Sequence, residues 1–255
     1  MIFPLISFLL CGCVTPPKSK SSETPQQQAK NEYLRNAQQK NLSVLRTEMV
    51  MRGMNINNPI YIRAFKSEMK LELWIQSSYT NEYKLFKIYD VCSKSGTLGP
   101  KLKEGDLQTP EGFYDVKEYR LNPNSKYFLS FNIGYPNAYD RAHKRTGSAL
   151  MIHGSCVSEG CLAMTDQHIA EIYAIVEQNF KYGHETIPVH IFPFYMTEEN
   201  MRLRHYSRWY NFWEDLKKGY DFFETHRLPP SISVHNKRYV VKTYPQQRYV
   251  SAGTP

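Results

Sequence analysis

The chain has 255 residues, 41% of them apolar and 14% aromatic, enough for one sizeable core or two small ones and too apolar for a disordered protein. Its 32 Lys and Arg against 24 Asp and Glu give a formal charge of +8, which suits nucleic acid, an anionic membrane surface or a polyanionic wall. No zinc-ligand spacing, phosphate-binding loop or nucleic-acid-binding signature accompanies that charge, so we expect no metal, no organic cofactor and no nucleic-acid partner.

Residues 1–10, MIFPLISFLL, form an apolar run shorter than the ~20 residues of a spanning helix and read as an export signal. The run ends in Leu10-Cys11-Gly12-Cys13, which resembles the bacterial lipobox and makes Cys13 the candidate lipid anchor. An ordinary cleaved signal is the alternative, because no Lys or Arg precedes the run and Cys11 stands where a smaller residue is commoner. On this reading residues 1–13 are the signal and the mature protein is exported, periplasmic and held to the membrane by lipid. Of the five cysteines, Cys92, Cys156 and Cys161 then remain, so at most one pair closes and at least one thiol stays free. Cys92–Cys156 and Cys156–Cys161 pairings are both open, and the second would block Cys161.

Residues 14–57 read as a tether. Their first part, to about Gln39, is rich in Pro, Ser, Lys and Gln, and the stretch from Gln26 to Met51 has a thin helical stripe through Tyr33, Leu34, Leu42 and Leu45. From Asn58 short β-like runs follow: Ile60 to Phe65, Met69 to Gln76, Tyr83 to Cys92, Gly112 to Glu118, Tyr127 to Ile133, Ser148 to His153 and Ile187 to Phe192. Their spacing predicts a mainly β, mainly antiparallel sandwich or barrel over residues 58–194. One helix interrupts it, with Thr165 as N-cap, Met164 and Ile169 as the hydrophobic staple, and Ile169, Ile172, Tyr173, Val176 and Phe180 at helical spacing up to Gly183. Residues 195–255 read as a helical extension and tail, with helices over Glu198 to His205 and Tyr206 to Phe223, breaks at Gly219 and Pro229, and a last strand at Arg238 to Lys242.

The chemistry concentrates in residues 149–164, where a strand ends in His153-Gly154 and a glycine-rich turn carries Cys161 toward the helix. A thiol in a turn ahead of a helix N-terminus, close to a histidine, is in surroundings that lower its pKa and favour the nucleophilic thiolate. Gly154 and Gly160 allow turns that aim backbone N–H groups at one point, as an oxyanion hole requires.

His153-Gly154 followed by Ser158-x-Gly160-Cys161-Leu162 resembles the signature of the YkuD-type L,D-transpeptidases, and the spacing of Cys156 and Cys161 is most similar to the YafK-like branch. The stretches Gly99-Pro100-Lys101, Gly105-Asp106, Thr109 to Tyr114, Gly134 to Asn137 and Pro188 to Phe194 extend the likeness over about residues 58–240. The resemblance implies a YkuD-like catalytic domain, peptidoglycan stem peptides as substrate, and a thioester formed by Cys161 at diaminopimelate with His153 as base. It further implies that the Gly154 or Ser155 carbonyl orients the imidazole and that the Gly160 and Cys161 N–H groups receive the oxyanion. An amine acceptor would make the chain a transpeptidase; water would make it a carboxypeptidase or an amidase releasing wall-linked lipoprotein. A non-catalytic wall-binding lipoprotein is the alternative from another class.

Two positions depart from the family pattern: Glu159 replaces the signature histidine and Ala163 the usual arginine, so other groups must meet the substrate. Arg141, Lys144 and Arg145 are the candidate carboxylate anchors, with Tyr135 and Ser158 as further substrate contacts. The aromatic cluster from Tyr206 to Phe223 reads most simply as a helix face packed on the sheet.

Overall fold

A computed structural model describes residues 42–242 and the single position Glu32. The export run, the lipobox with Cys13, most of the expected tether and the tail from residue 243 lie outside the described residues. Helix α1 spans residues 42–51 and sends Leu45 and Met49, one turn apart, into the main core, where Met54 and Ile56 join them. The chain is therefore part of the fold from residue 42 on, earlier than the expected boundary at residue 58. The thin apolar stripe suffices because the sheet beneath supplies the rest of the burial.

The larger sheet has five strands in the order β3 (Tyr83–Asp90), β2 (Lys70–Gln76), β1 (Ile60–Phe65), β10 (Ile187–Phe192) and β5 (Gly112–Val116). Only β1 and β10 run parallel within it. All six residues of β1 are buried, because both faces of the sheet are covered. Ile60, Ile62 and Ala64 face the main core. Tyr61, Arg63 and Phe65 alternate with them. Buried Arg63 is kept charged by Glu72 at 2.7 Å and by Glu224 at 2.7 Å.

The smaller sheet orders five short strands as β4 (Ser93–Lys94), β9 (Leu162–Ala163), β8 (Met151–His153), β7 (Ser130–Asn132) and β6 (Leu121–Asn122), with β8 and β9 parallel. Phe131, Ile152 and Leu162 from this sheet share one core with the larger sheet. Helix α3 (Asp166–Lys181) fills the space between, burying Ile169, Ile172, Tyr173, Val176 and Phe180. Thr165 caps it by accepting the His168 N–H at 3.1 Å, and Met164 and Ile169 are both buried as the staple requires.

A short helix α2 (Ala138–Ala142), not expected from sequence, is closed by a capping box between Asn137 and Asp140. Helices α4 (Glu198–Arg202) and α5 (Tyr210–His226) follow the larger sheet, and a hairpin of β11 (Ser231–His235) and β12 (Arg238–Lys242) turns through Asn236 and Lys237, both at positive φ. Helix α5 starts four residues later than expected and is not broken at Gly219. A side chain there would put its Cβ 2.6 Å from Phe113 Cζ, so glycine admits the ring against an unbroken helix.

Candidate active site

The site is built where the two parallel strands of the smaller sheet end. Ile152 pairs with Leu162 and His153 with Ala163, and side chains alternate along each strand. Leu162 and Ile152 go into the core, and Cys161 stands immediately before β9, beside the start of β8. The Met151 N–H donates to Cys161 Sγ at 3.4 Å, and the Ala149 carbonyl lies 4.0 Å from that sulfur. Cys161 is the free cysteine among the described residues and is half-buried.

His153 is buried, with its ring stacked on Tyr127 at 4.6 Å between centroids. Its Nδ1 is 2.6 Å from the Gly154 carbonyl oxygen. A carbonyl only accepts, so Nδ1 carries the proton and Nε2 is left as the acceptor. The orienting carbonyl is thus that of Gly154 and not that of Ser155, which is exposed and gives its N–H to Asp166 Oδ1 at 2.8 Å. Gly154 is required here by close approach: a Cβ would sit 2.5 Å from Asp166 Oδ1 and 2.9 Å from the Tyr127 carbonyl.

Burial lowers the His153 pKa below its ordinary value, partly offset by the bond to Gly154. Burial likewise pushes the Cys161 thiol up, against the opposing pulls of the Met151 N–H and the Lys101 ammonium, while Glu159 pushes it further up. Both directions favour the uncharged forms, thiol and imidazole, which corrects the expectation of a thiol lowered by the helix. Helix α3 begins only at Asp166, after β9, and Asp166 occupies its first turn.

A second set of contacts fixes the backbone around the nucleophile candidate. Ser158 Oγ donates to the Cys161 carbonyl at 2.8 Å and Thr109 Oγ1 to the same oxygen at 3.2 Å. The Gly160 N–H, at φ +106°, donates to Ser95 Oγ at 2.5 Å and is therefore already used. Ser158 and Gly160 thus brace the turn rather than line a substrate surface. Cys92 and Cys156 form a disulfide, with Cα atoms 5.2 Å apart, which removes Cys156 as a rival thiol and ties the loop to the β3–β4 turn.

The expected substrate anchors are engaged elsewhere. Arg145 is buried, pairs with Asp140 Oδ1 at 2.8 Å and stacks over Tyr139 and Phe212. Tyr135 is buried and its hydroxyl donates to the Lys101 carbonyl at 3.2 Å. Arg141 is exposed but donates to the Pro136 carbonyl of its own turn at 2.5 Å, while Lys144 is exposed at φ +57°. Basic residues close together in sequence fan out around a capping box, which a count of charges does not reveal. Lys101, Thr109, Ser95 and Tyr127 were missed as site residues. Lys101 and Thr109 lie in stretches similar to the YafK-like branch, which was their only signal in the sequence. Among the described residues no cluster of His, Cys, Asp or Glu has the arrangement of a metal site.

The sequence model of the L,D-transpeptidase catalytic domain, YkuD, matches residues 59–191. The chain belongs to this family. It is 49% identical over 186 residues to the YafK protein of Escherichia coli K12, which bears the L,D-transpeptidase name provisionally; the match covers 73% of this chain and 75% of the relative. Among solved structures, the K307A form of the helical cell shape determining protein Pgp2 from Campylobacter jejuni matches at 20% identity and TM-score 0.44, over 66% of this chain and 57% of that one. Bd1075 of Bdellovibrio bacteriovorus matches at 18% identity and TM-score 0.37, over 70% and 78%. The chain thus spans little more than half the length of the Pgp2 chain.

Proposed function

We propose that this family member performs acyl transfer on peptidoglycan stem peptides through a thioester on Cys161. The observation that carries the reading is a free Cys161 whose sulfur accepts the N–H of Met151, two residues before His153, whose Nδ1–H is held by Gly154 so that Nε2 accepts a proton. As substrate closes over the site, His153 takes the thiol proton and the sulfur adds to the carbonyl at diaminopimelate. With the Gly160 N–H engaged by Ser95, the oxyanion falls to the Cys161 N–H. His153 then returns the proton to the departing amine, leaving a thioester. An incoming amine makes the enzyme an L,D-transpeptidase; water makes it a carboxypeptidase or an amidase that detaches wall-linked lipoprotein. Export by the N-terminal run, with Cys13 as lipid anchor, would place the site in the periplasm beside that substrate.

The test is incubation of the purified full-length protein with tetrapeptide-containing muropeptides, with products read by mass spectrometry. Cross-linked dimers establish transpeptidation, and shortened or released peptides alone establish hydrolysis. No product from a folded chain with Cys161 reduced would overturn acyl transfer in favour of a wall-binding lipoprotein.

A further inference from the structure

The turn between β6 and β7 holds a strained residue that the proposed mechanism does not use. Phe128 has φ +72°, a left-handed conformation that a bulky side chain rarely adopts. That torsion brings the carbonyls on either side of it, those of Tyr127 and Leu129, onto one donor, the Gly154 N–H, at 3.1 Å and 3.2 Å. Ser125, buried earlier in the turn, accepts the Tyr127 N–H through Oγ at 3.1 Å, and Phe128 itself packs against the main core. The half-buried phenol ring of Tyr127 is thereby set over the imidazole of His153, with centroids 4.6 Å apart and planes inclined at 29°. One residue thus holds the His153–Gly154 unit twice: its ring lies on the imidazole, and its carbonyl takes the N–H of the glycine whose own carbonyl holds Nδ1. Strained backbone persists where the surroundings over-determine it, and it collects at working sites.

We propose that Tyr127 is a positioning residue that stabilises the charged imidazolium of His153 by presenting to it the negative face of an aromatic ring. A neutral imidazole gains only contact from this stack, whereas a cation within about 6 Å of a ring centroid is drawn to the ring quadrupole. When the Cys161 proton passes to Nε2, the imidazole becomes a cation against Tyr127, so the stack favours the state after transfer over the state before it. It also works against the burial that holds the His153 pKa below its ordinary value. From the neighbouring elements, the charged and titratable groups are Cys161 before β9, Asp166 at the start of α3, which accepts the Ser155 N–H at 2.8 Å, and Lys126 in the turn. The exposed Lys126 ammonium lies 4.7 Å from the Tyr127 centroid and draws on the same ring.

The inference rests on His153 as the base, so its test reads the imidazole itself rather than turnover. The Cε1–H resonance of His153, assigned by its absence from His153→Gln, is followed against pH by NMR in the full chain, in Tyr127→Leu and in Tyr127→Phe, with salt high enough to screen the exposed Lys126. Leucine keeps an apolar cover but has no π face, so the His153 midpoint should fall by about half a unit to one unit. Phenylalanine keeps the face and should leave the midpoint within about 0.3 of the original. A ring that merely packs gives the opposite sign, because the smaller leucine admits water and water raises the pKa of a buried histidine. If Tyr127→Leu loses its thermal transition, Tyr127→Met takes its place with the same expectation. A midpoint that stays or rises in the variant without a ring, or one displaced as far by phenylalanine as by leucine, would overturn the assignment. Either result leaves the muropeptide test of Cys161 untouched.

Discussion

At the residue scale, the proposed pairing of Cys161 with His153 rests on two hydrogen bonds. The bond from His153 Nδ1 to the Gly154 carbonyl selects the tautomer, and the Met151 N–H holds the Cys161 sulfur beside the same strand. Because burial depresses the His153 pKa, the imidazole stays neutral at lower pH than a free histidine. The base is competent only when deprotonated, so the acid limb of kcat/KM should fall below about pH 6.5 and activity should be full at pH 7. A kcat/KM profile whose acid limb lies above pH 7 would be inconsistent with this environment. The proposed catalytic pair was legible in the sequence, because His-Gly and Ser-x-Gly-Cys are local. Which residues support them was not: Thr109 reaches the Cys161 carbonyl across 52 positions, a closure that follows from the sheets and not from spacing.

At the element scale, strands β1 and β10 and the last strand β12 have the bounds read from the sequence, and α3 begins at its N-cap Thr165. These segments carry their own signals, a β-branched run or a capping residue with a staple. The strands of the smaller sheet are shorter than their apolar runs, because β7 and β8 pair over only three residues before the chain turns. Gly219 shows propensity overridden by packing. Gly219→Ala should stabilise an isolated helix by about 1 kcal/mol, yet the Cβ would overlap Phe113, so the net effect expected is a loss of about 1–3 kcal/mol in denaturant unfolding. A stabilised variant would mean the ring moves aside freely. The Cys92–Cys156 disulfide closes a separation of 64 residues. On chain entropy alone its removal in the Cys92→Ala, Cys156→Ala double variant should lower stability by about 4 kcal/mol while Cys161 remains alkylatable; loss of Cys161 reactivity in a folded variant would give the disulfide a role in shaping the site.

At the scale of the whole molecule, one core spans both sheets and α3, and a second aromatic core joins the C-terminal elements to the other face of the larger sheet. The C-terminal part was read from sequence as an extension, and Phe212, Trp213, Tyr220 and Phe223 do pack on the sheet, whereas Tyr206 is exposed. What the sequence did not disclose is that Trp213 reaches Glu111 and, through it, the loop that grips Cys161. Trp213→Phe keeps a ring against Phe194 but orphans a buried carboxylate oxygen, so stability should fall by about 1–3 kcal/mol. In addition kcat should fall with KM nearly unchanged, since the loop holds the Cys161 carbonyl; an unchanged kcat would confine Trp213 to packing.

The most direct test of Cys161 as nucleophile is intact-protein mass spectrometry of the full chain mixed with tetrapeptide muropeptides and quenched in acid. A covalent adduct that maps to Cys161, and that is absent from a folded Cys161→Ala variant without turnover, is the predicted result. Turnover retained by Cys161→Ala, or an adduct on another residue, would contradict it.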